Sequence, residues 1–207
     1  MFLLTLVVAA GLAAASPPIV NLHGAGRARA GVVVALAVPM GALLAWASAQ
    51  VEPLGVPMAI GAAFVGVVLA VQTVIDVSVH RLPRRISHIG LAGFVVAVLL
   101  DGGVDRLPGL VIGLVVMTAV TGALVVVTRG SLGIGDLHLS PLLGAVLGWI
   151  APSLVGLAWV ATALSGGIVV AAGLATRRVQ RSDHIPYGPF MILGSLVAIV
   201  IGGVSVK

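Results

Sequence analysis

The chain consists of long apolar runs separated by short polar segments, and the runs are continuous rather than alternating between apolar and polar residues. Lipid offers no partners to backbone groups, so only helices and closed barrels cross a membrane, and a barrel strand alternates with a period of two. A spanning helix needs about 20 apolar residues. The pattern therefore predicts an all-α, polytopic transmembrane helical bundle. Eight helices are predicted, near residues 2–20, 31–50, 57–77, 88–102, 108–128, 136–151, 152–175 and 188–206.

The composition agrees with a membrane protein surrounded by lipid. Hydrophobic residues make up 60% of the chain and charged residues 8%, against about 25% charged residues in soluble domains. No linker is long enough to mark a boundary, so residues 1–207 are predicted to form a single integral membrane domain. The net charge is +5, but basic residues never form a run longer than two and aromatic residues are only 4%. We therefore expect no nucleic-acid partner.

The absence of cysteine excludes a disulfide framework, a thiol nucleophile and a thiolate zinc site. The 28 glycines fit close helix contacts of the small-xxx-small kind, for example Gly109 with Gly113 and Gly144 with Gly148. The alternative is that these glycines reflect only the ordinary composition of membrane helices.

The distribution of basic residues predicts the orientation, because Lys and Arg in short loops mark the cytoplasmic face. With eight helices, Arg106 and Lys207 fall on one side and the other nine basic residues on the opposite side. Both termini are then outside, as are Glu52, Asp101 and Asp105, and the third helix ends inside. The nine cytoplasmic residues are Arg27, Arg29, Arg81, Arg84, Arg85, Arg129, Arg177, Arg178 and Arg181.

The first apolar segment has an alternative interpretation as a cleaved signal peptide, since small residues end its apolar run. It has no Lys or Arg before that run, which a secretory signal requires. We therefore expect a membrane helix there.

Two of the six acidic residues, Asp76 and Asp136, lie where apolar runs meet loops predicted to be cytoplasmic. A carboxylate in hydrocarbon costs about 2.5–3.5 kcal/mol on insertion scales, so two in a chain this poor in charge indicate a functional site. A bundle can bring two helix ends at one depth together. Two carboxylates that share a site cannot both ionise at low cost, so such a pair holds one proton between them, as an aspartyl protease requires.

The residues around the two aspartates leave simpler alternatives open. Gly133 and Gly135 can adopt positive φ and carry no side chain, so a substrate peptide could approach Asp136 there. Alternatively, Asp136 is simply the N-cap of a helix. Asp76 is predicted at a helix C-terminus, where the helix dipole disfavours an anion, and its alternative is a surface ion pair with Arg81 or Arg84.

Three motifs in order carry a family resemblance. Asp76 is followed at the spacing D-x5-L-P by Leu82 and Pro83, then comes GxGD at 133–136, and then IPYGPF at 185–190. This order resembles the type IV prepilin peptidases, the GxGD intramembrane aspartyl proteases that process pilins and pseudopilins. The resemblance covers residues 57–206.

The resemblance implies a membrane aspartyl endopeptidase with Asp76 and Asp136 as the catalytic pair and no metal or organic cofactor. It implies a prepilin or pseudopilin substrate, whose basic leader is cut before its hydrophobic helix at the cytoplasmic face of the inner membrane. The chain departs from the family pattern at two positions. Arg84 stands where an acidic residue often follows Leu-Pro, and His138 stands where a lysine often follows the GxGD aspartate.

Many bacterial members of this family carry an N-terminal cytoplasmic segment with paired cysteines and a second activity, N-methylation of the new pilin terminus. The equivalent loop here is short and free of cysteine. The resemblance therefore predicts a peptidase without methyltransferase activity.

Other polar residues and two other classes of function are alternatives to this hypothesis. His80, His88 and His138 flank the aspartates, but interfacial histidines are usually solvated, so no metal site is predicted. Asp101 and Asp105, in DGGVDRLPG, are interpreted as part of a hydrated turn on the opposite face. A different class of function is a small transporter that uses Asp76 and Asp136 as a proton or cation relay. A third is a scaffold subunit that has lost catalysis. The oligomeric state is not predicted.

Overall fold

The computed structural model describes residues 2–14, 30–51, 53, 55–128, 133–176 and 187–203. These residues form eight α-helices and one short 3₁₀ turn, Val104–Arg106, and no strand. The predicted all-α polytopic bundle of eight helices is confirmed. The helices are α1 Phe2–Ala14, α2 Ala30–Val51, α3 Val56–Val79, α4 Arg84–Leu100, α5 Leu107–Val127, α6 Ile134–Ile150, α7 Leu154–Ala175 and α8 Gly188–Gly203.

Four of these helices, α2, α3, α5 and α7, are long and apolar enough to cross a membrane on their own. Helices α1, α6 and α8 are apolar but shorter. The predicted helix bounds agree to within a few residues except for α4, which begins at Arg84 rather than near residue 88. The first turn of α4 thus carries Arg84 and Arg85. The remainder of the predicted first helix, residues 15–20, lies outside the described residues.

Helix α3 is the centre of the bundle. Almost all of its length is buried, and it packs against α1, α2, α4 and α8. Helices α5 and α7, by contrast, expose most of their surface. That surface is apolar, as a lipid-facing surface must be. An aspartate near the end of α3 is therefore surrounded by other helices.

The predicted glycine contacts form the interface between α5 and α6. A Cβ atom on Gly113 would lie 2.6 Å from Gly148 Cα and 2.8 Å from Gly148 N, and one on Gly109 would lie 2.7 Å from Gly148 O. Gly144 likewise faces Gly113. Because these neighbours are backbone atoms, no rotamer change can make room for a methyl group. The two helices approach this closely only because the facing positions are glycine.

The turn that joins α4 to α5 caps two other helices. Asp101 accepts hydrogen bonds from the backbone N–H groups of Gly55 and Met58, each at 3.3 Å, at the start of α3. The Arg106 guanidinium donates to the carbonyl of Val51, 3.1 Å away, at the end of α2. The turn forms where it was predicted, but Asp101 is more than a hydrated residue. It satisfies N–H groups that a helix start leaves without intrahelical partners.

The two ends of the bundle separate the acidic residues as predicted. Helix α4 runs from the end that carries Asp76 to the end that carries Asp101 and Asp105, and α5 returns towards Asp136. Among the described basic residues, Arg81, Arg84 and Arg85 lie at the Asp76 end and Arg106 at the other. The remaining residues of the orientation argument lie outside the described part of the chain, namely Arg27, Arg29, Glu52, Arg129, Arg177, Arg178, Arg181 and Lys207.

The α5–α6 contact predicts a specific sensitivity to a single methyl group. We expect Gly113→Ala to lower the free energy of unfolding by about 1–3 kcal/mol, since the helices must separate to admit the methyl. Gly156→Ala is the matched control, because a Cβ there meets nothing within 4 Å. Thermal unfolding in detergent measures both. Equal melting temperatures for wild type and Gly113→Ala would contradict this interface.

The cap on α3 makes a second prediction. Asp101→Ala removes the acceptor for two backbone N–H groups and should destabilise the protein by about 0.5–2 kcal/mol. Asp105→Ala, an exposed acid in the same turn, should change stability little. Thermal unfolding at low and moderate salt separates the cap from a general effect of charge. If both variants lost the same stability, the cap would not be the cause.

Candidate active site

Asp76 lies in the last turn of α3 and is 5% exposed. Its carbonyl accepts a hydrogen bond from the N–H of His80 at 2.8 Å, and His80 ends the helix in the left-handed conformation with φ 53°. Helix α3 ends there because Pro83 cannot continue it, and α4 starts immediately after Pro83. This aspartate is buried at a helix C-terminus, as predicted.

Asp136 lies in the first turn of α6 and is 4% exposed. The N-cap of this helix is Gly133, so the alternative that Asp136 is the N-cap is wrong. The Asp136 N–H donates to the Gly133 carbonyl at 3.0 Å, and its carboxylate accepts a hydrogen bond from the Gly133 backbone. A carboxylate at the third helical position that reaches back to the N-cap N–H is a known helix-start arrangement. The partial positive charge of the helix start also favours an anion there.

The two carboxylates meet at the start of α8. A Cβ atom on Gly188 would lie 2.9 Å from Asp76 Oδ2 and 3.4 Å from Asp136 Oδ1. The two oxygens are therefore no further apart than the sum of these distances. Asp136 Oδ1 is buried and has no hydrogen-bond partner among the described residues. The structure thus brings together the two aspartates predicted from sequence, and a Cβ atom at position 188 would be too close to Asp76 Oδ2.

The backbone conformation and the neighbours of the two glycines before Asp136 differ from those expected from the sequence. Gly133 is extended, with φ −64° and ψ 137°, and Gly135 is inside the first turn of α6. Neither has positive φ; Gly102 does, at 84°. A Cβ on Gly135 would lie 2.7 Å from Leu82 Cβ, so the space beside this glycine is occupied by the chain's own loop. The role of Gly133 and Gly135 in binding substrate stays a prediction.

Sequence reasoning missed the parts played by Gly188 and Leu82 in this geometry. Both residues belong to motifs noted in the sequence, but no periodicity shows that the third motif adjoins the first two. Tyr187, which precedes Gly188, is half-buried at the start of α8. Burial first, and then the negative charge of Asp136, raise the pKa of its phenol.

A buried polar pair one helical turn from Asp76 was also missed. The Gln72 side-chain amide donates to Ser87 Oγ at 2.9 Å, and both residues are fully buried. The pair joins α3 to α4. Its signal in the sequence was the presence of two polar residues inside segments that were predicted to be apolar helix or basic loop.

The histidines near the site form a smaller contact. The rings of His88 and His138 are arranged edge to face, with centroids 5.3 Å apart. Within the described ranges, no group of three or more His, Asp or Glu residues lies close enough to hold a metal ion. His138 follows Asp136 by two positions and faces α4 rather than Asp76.

Comparison with known proteins supports the family suggested by the motifs. The chain is 31% identical over 139 residues to a prepilin leader peptidase/N-methyltransferase of Aeromonas salmonicida strain A449, and equally to one of Aeromonas salmonicida. Each match covers 65% of this chain and 47% of the relative, so the chain spans about half the length of those relatives. No protein-family model and no solved structure matches the chain.

The similarity, the order of the three motifs and the meeting of Asp76 with Asp136 agree. Over 65% of its length the chain is similar to prepilin leader peptidase/N-methyltransferases, in agreement with its resemblance to the type IV prepilin peptidases.

Proposed function

We propose that the chain is a membrane aspartyl endopeptidase that removes the leader peptide of prepilin-like proteins at the cytoplasmic membrane face. The observation that carries this proposal is that oxygens of both carboxylates lie within 3.4 Å of the position a Cβ atom would take on Gly188. Two acids of different helices, each about 95% buried, lie around this point, and the space between them is called the gap below. The relatives' name supplies the substrate class.

The chemistry follows from the sharing of one proton by the two acids. The ionised carboxylate takes a proton from a water molecule in the gap, and the water oxygen attacks the scissile carbonyl carbon. The protonated carboxyl donates a hydrogen bond to the carbonyl oxygen as negative charge develops on it. When the tetrahedral intermediate collapses, the C–N bond breaks and the leaving amine receives a proton from the carboxyl pair. The products are the leader peptide and a new amino terminus.

The depth of the two acids favours proteolysis over a transport relay. Asp76 is in the last turn of α3 and Asp136 in the first turn of α6. Both therefore lie at one end of the bundle, whereas transporters place their sites near the membrane midplane. The leader of a prepilin-like protein meets the membrane at the same depth, because it directly precedes a hydrophobic helix.

The basic residues near the site support the cytoplasmic side. Arg81, Arg84 and Arg85 lie in or beside the loop that follows Asp76, and basic loops face the cytoplasm. The proposal for these 207 residues is limited to the peptidase reaction. They contain no cysteine. The absence of methyltransferase activity stays a prediction.

The dyad is tested by single isosteric substitutions. We expect Asp76→Asn and Asp136→Asn each to lower cleavage of a co-expressed prepilin by about 10²- to 10⁴-fold, because each removes one half of the acid–base pair. Gel shift of the prepilin measures leader removal, and thermal unfolding confirms that each variant is folded. Asp105→Asn, an exposed acid at the opposite end, is the matched control and should cleave like wild type.

Normal processing by either dyad variant would overturn the assignment of the pair. Failure of the wild-type protein on several different prepilins would overturn the peptidase proposal itself.

The predicted orientation can be measured directly because the chain contains no cysteine. Single variants Arg85→Cys and Asp105→Cys place a thiol at exposed positions on opposite ends of the bundle. A membrane-impermeant maleimide applied to intact spheroplasts should label Asp105→Cys at once and Arg85→Cys only after permeabilisation. The reverse pattern would place the dyad on the outer face.

A further inference from the structure

Leu82 contacts the starts of two helices that approach the dyad. It lies in the loop between α3 and α4, two residues before α4 begins at Arg84, and its side chain is half-buried. His80, in the left-handed conformation, fixes the start of this loop, and Pro83, the N-cap of α4, fixes its end. The loop is therefore short and constrained at both ends.

The first contact is with the start of α6, through the body of the leucine. A Cβ atom on Gly135 would lie 2.7 Å from Leu82 Cβ and 3.3 Å from each of Leu82 N and O. These atoms cannot move by a change of rotamer. The backbone of the Leu82 loop thus rests directly on the backbone of the residue before Asp136.

The second contact is with the start of α8, through the tip of the leucine. The Cβ position of Gly188 that lies 2.9 Å from Asp76 Oδ2 and 3.4 Å from Asp136 Oδ1 lies 2.7 Å from Leu82 Cδ1. The leucine tip and both carboxylate oxygens therefore converge on one point at Gly188. Leu82 Cδ1 is the nearest of these three atoms to that point.

We propose that Leu82 is a positioning residue that sets the separation of the two carboxylates by filling the wedge between Gly135 and Gly188. Its backbone and Cβ locate the start of α6, and its branched tip locates the start of α8. Truncation to alanine removes the tip and leaves the α6 contact in place. The carboxylates then gain space on one side and their separation increases. The expected effect on catalysis rests on the proposed peptidase function, whereas the contact of Leu82 with Gly135 and Gly188 does not.

The first experiment separates positioning from substrate binding. We expect Leu82→Ala to lower kcat for leader cleavage by about 10- to 100-fold, as a displacement of about 1 Å does, and to leave KM unchanged. Leu82→Met, which refills the wedge, should recover most of kcat. Leu91→Ala removes a half-buried leucine two turns further along α4 and is the control for loss of packing. A rise in KM alone, or an equal loss of kcat in Leu91→Ala, would overturn the proposal.

The second experiment uses a difference between the two contacts. Gly135 faces the backbone and Cβ of Leu82, whereas Gly188 faces its Cδ1. Gly188→Ala should be relieved by Leu82→Ala, because the added methyl collides with the leucine tip that this change removes. Gly135→Ala should not be relieved, because Cβ, N and O remain in alanine. Melting temperatures of the three single and two double variants in detergent measure this. Additive losses in the Gly188 pair, or equal relief in the Gly135 pair, would contradict the contact geometry.

The third measurement does not depend on activity and so separates this inference from the proposed function. The infrared band of the protonated carboxyl, assigned by its loss in Asp76→Asn and Asp136→Asn, is followed against pH in wild type and Leu82→Ala. A larger separation weakens the repulsion that retains the shared proton, so the band should disappear at lower pH in Leu82→Ala than in wild type or Leu91→Ala. Identical titrations in all three would overturn the positioning role even if cleavage is established.

Discussion

The burial of two carboxylates at the end of an apolar bundle is the constraint on which the site depends. Asp76 and Asp136 are each about 95% buried and lie around one point at Gly188. Two negative charges in such a place repel strongly and lack water to solvate them, whereas one charge and one proton can be accommodated. The same condition that makes the pair tolerable in the fold would let it act as an acid and a base in the proposed peptidase reaction.

The surrounding helix ends act on this single charge in different ways. Helix α6 begins at Ile134, its N-cap Gly133 donates the backbone N–H to the Asp136 carboxylate, and α8 begins beside both acids. Both helix starts carry partial positive charge towards the gap, whereas α3 ends near Asp76 with partial negative charge. Two helix ends thus favour a negative charge at this point, and one helix end disfavours it. This arrangement suits a pair with a net charge of −1 better than a neutral or doubly charged pair.

The sequence predicted the features that depend on local composition and on which end of a helix a residue occupies. Apolar runs located the eight helices, and their alternating direction placed Asp76 and Asp136 at one end and Asp101 at the other. The spacing of the glycines of α5 and α6 suggested their contact, although the sequence left ordinary membrane-helix composition open as the alternative. These properties follow from one segment or from two consecutive ones.

Contacts between segments distant in the chain were not predictable in the same way. Nothing local to Gly188 indicates that its missing side chain faces two carboxylates of other helices. Leu82 packs against Gly135, a contact that the sequence did not indicate, because a glycine is equally suited to approach by the chain itself and by a substrate peptide. Asp101 caps the start of α3 although it belongs to another turn. A spacing along the sequence cannot identify the partner in any of these cases.

The buried Gln72–Ser87 hydrogen bond explains how the loop between α3 and α4 keeps its place over the dyad. Gln72 precedes Asp76 by one turn on the same face of α3, and its partner lies in the first turns of α4. An unpaired amide there would be costly, so the bond resists separation of the two helices. Leu82 lies in the loop between these two helices. Its position relative to Asp76 is therefore fixed both by the shortness of the loop and by the Gln72–Ser87 hydrogen bond. The geometry of the dyad is thus determined by the joint between α3 and α4 as well as by the aspartates themselves.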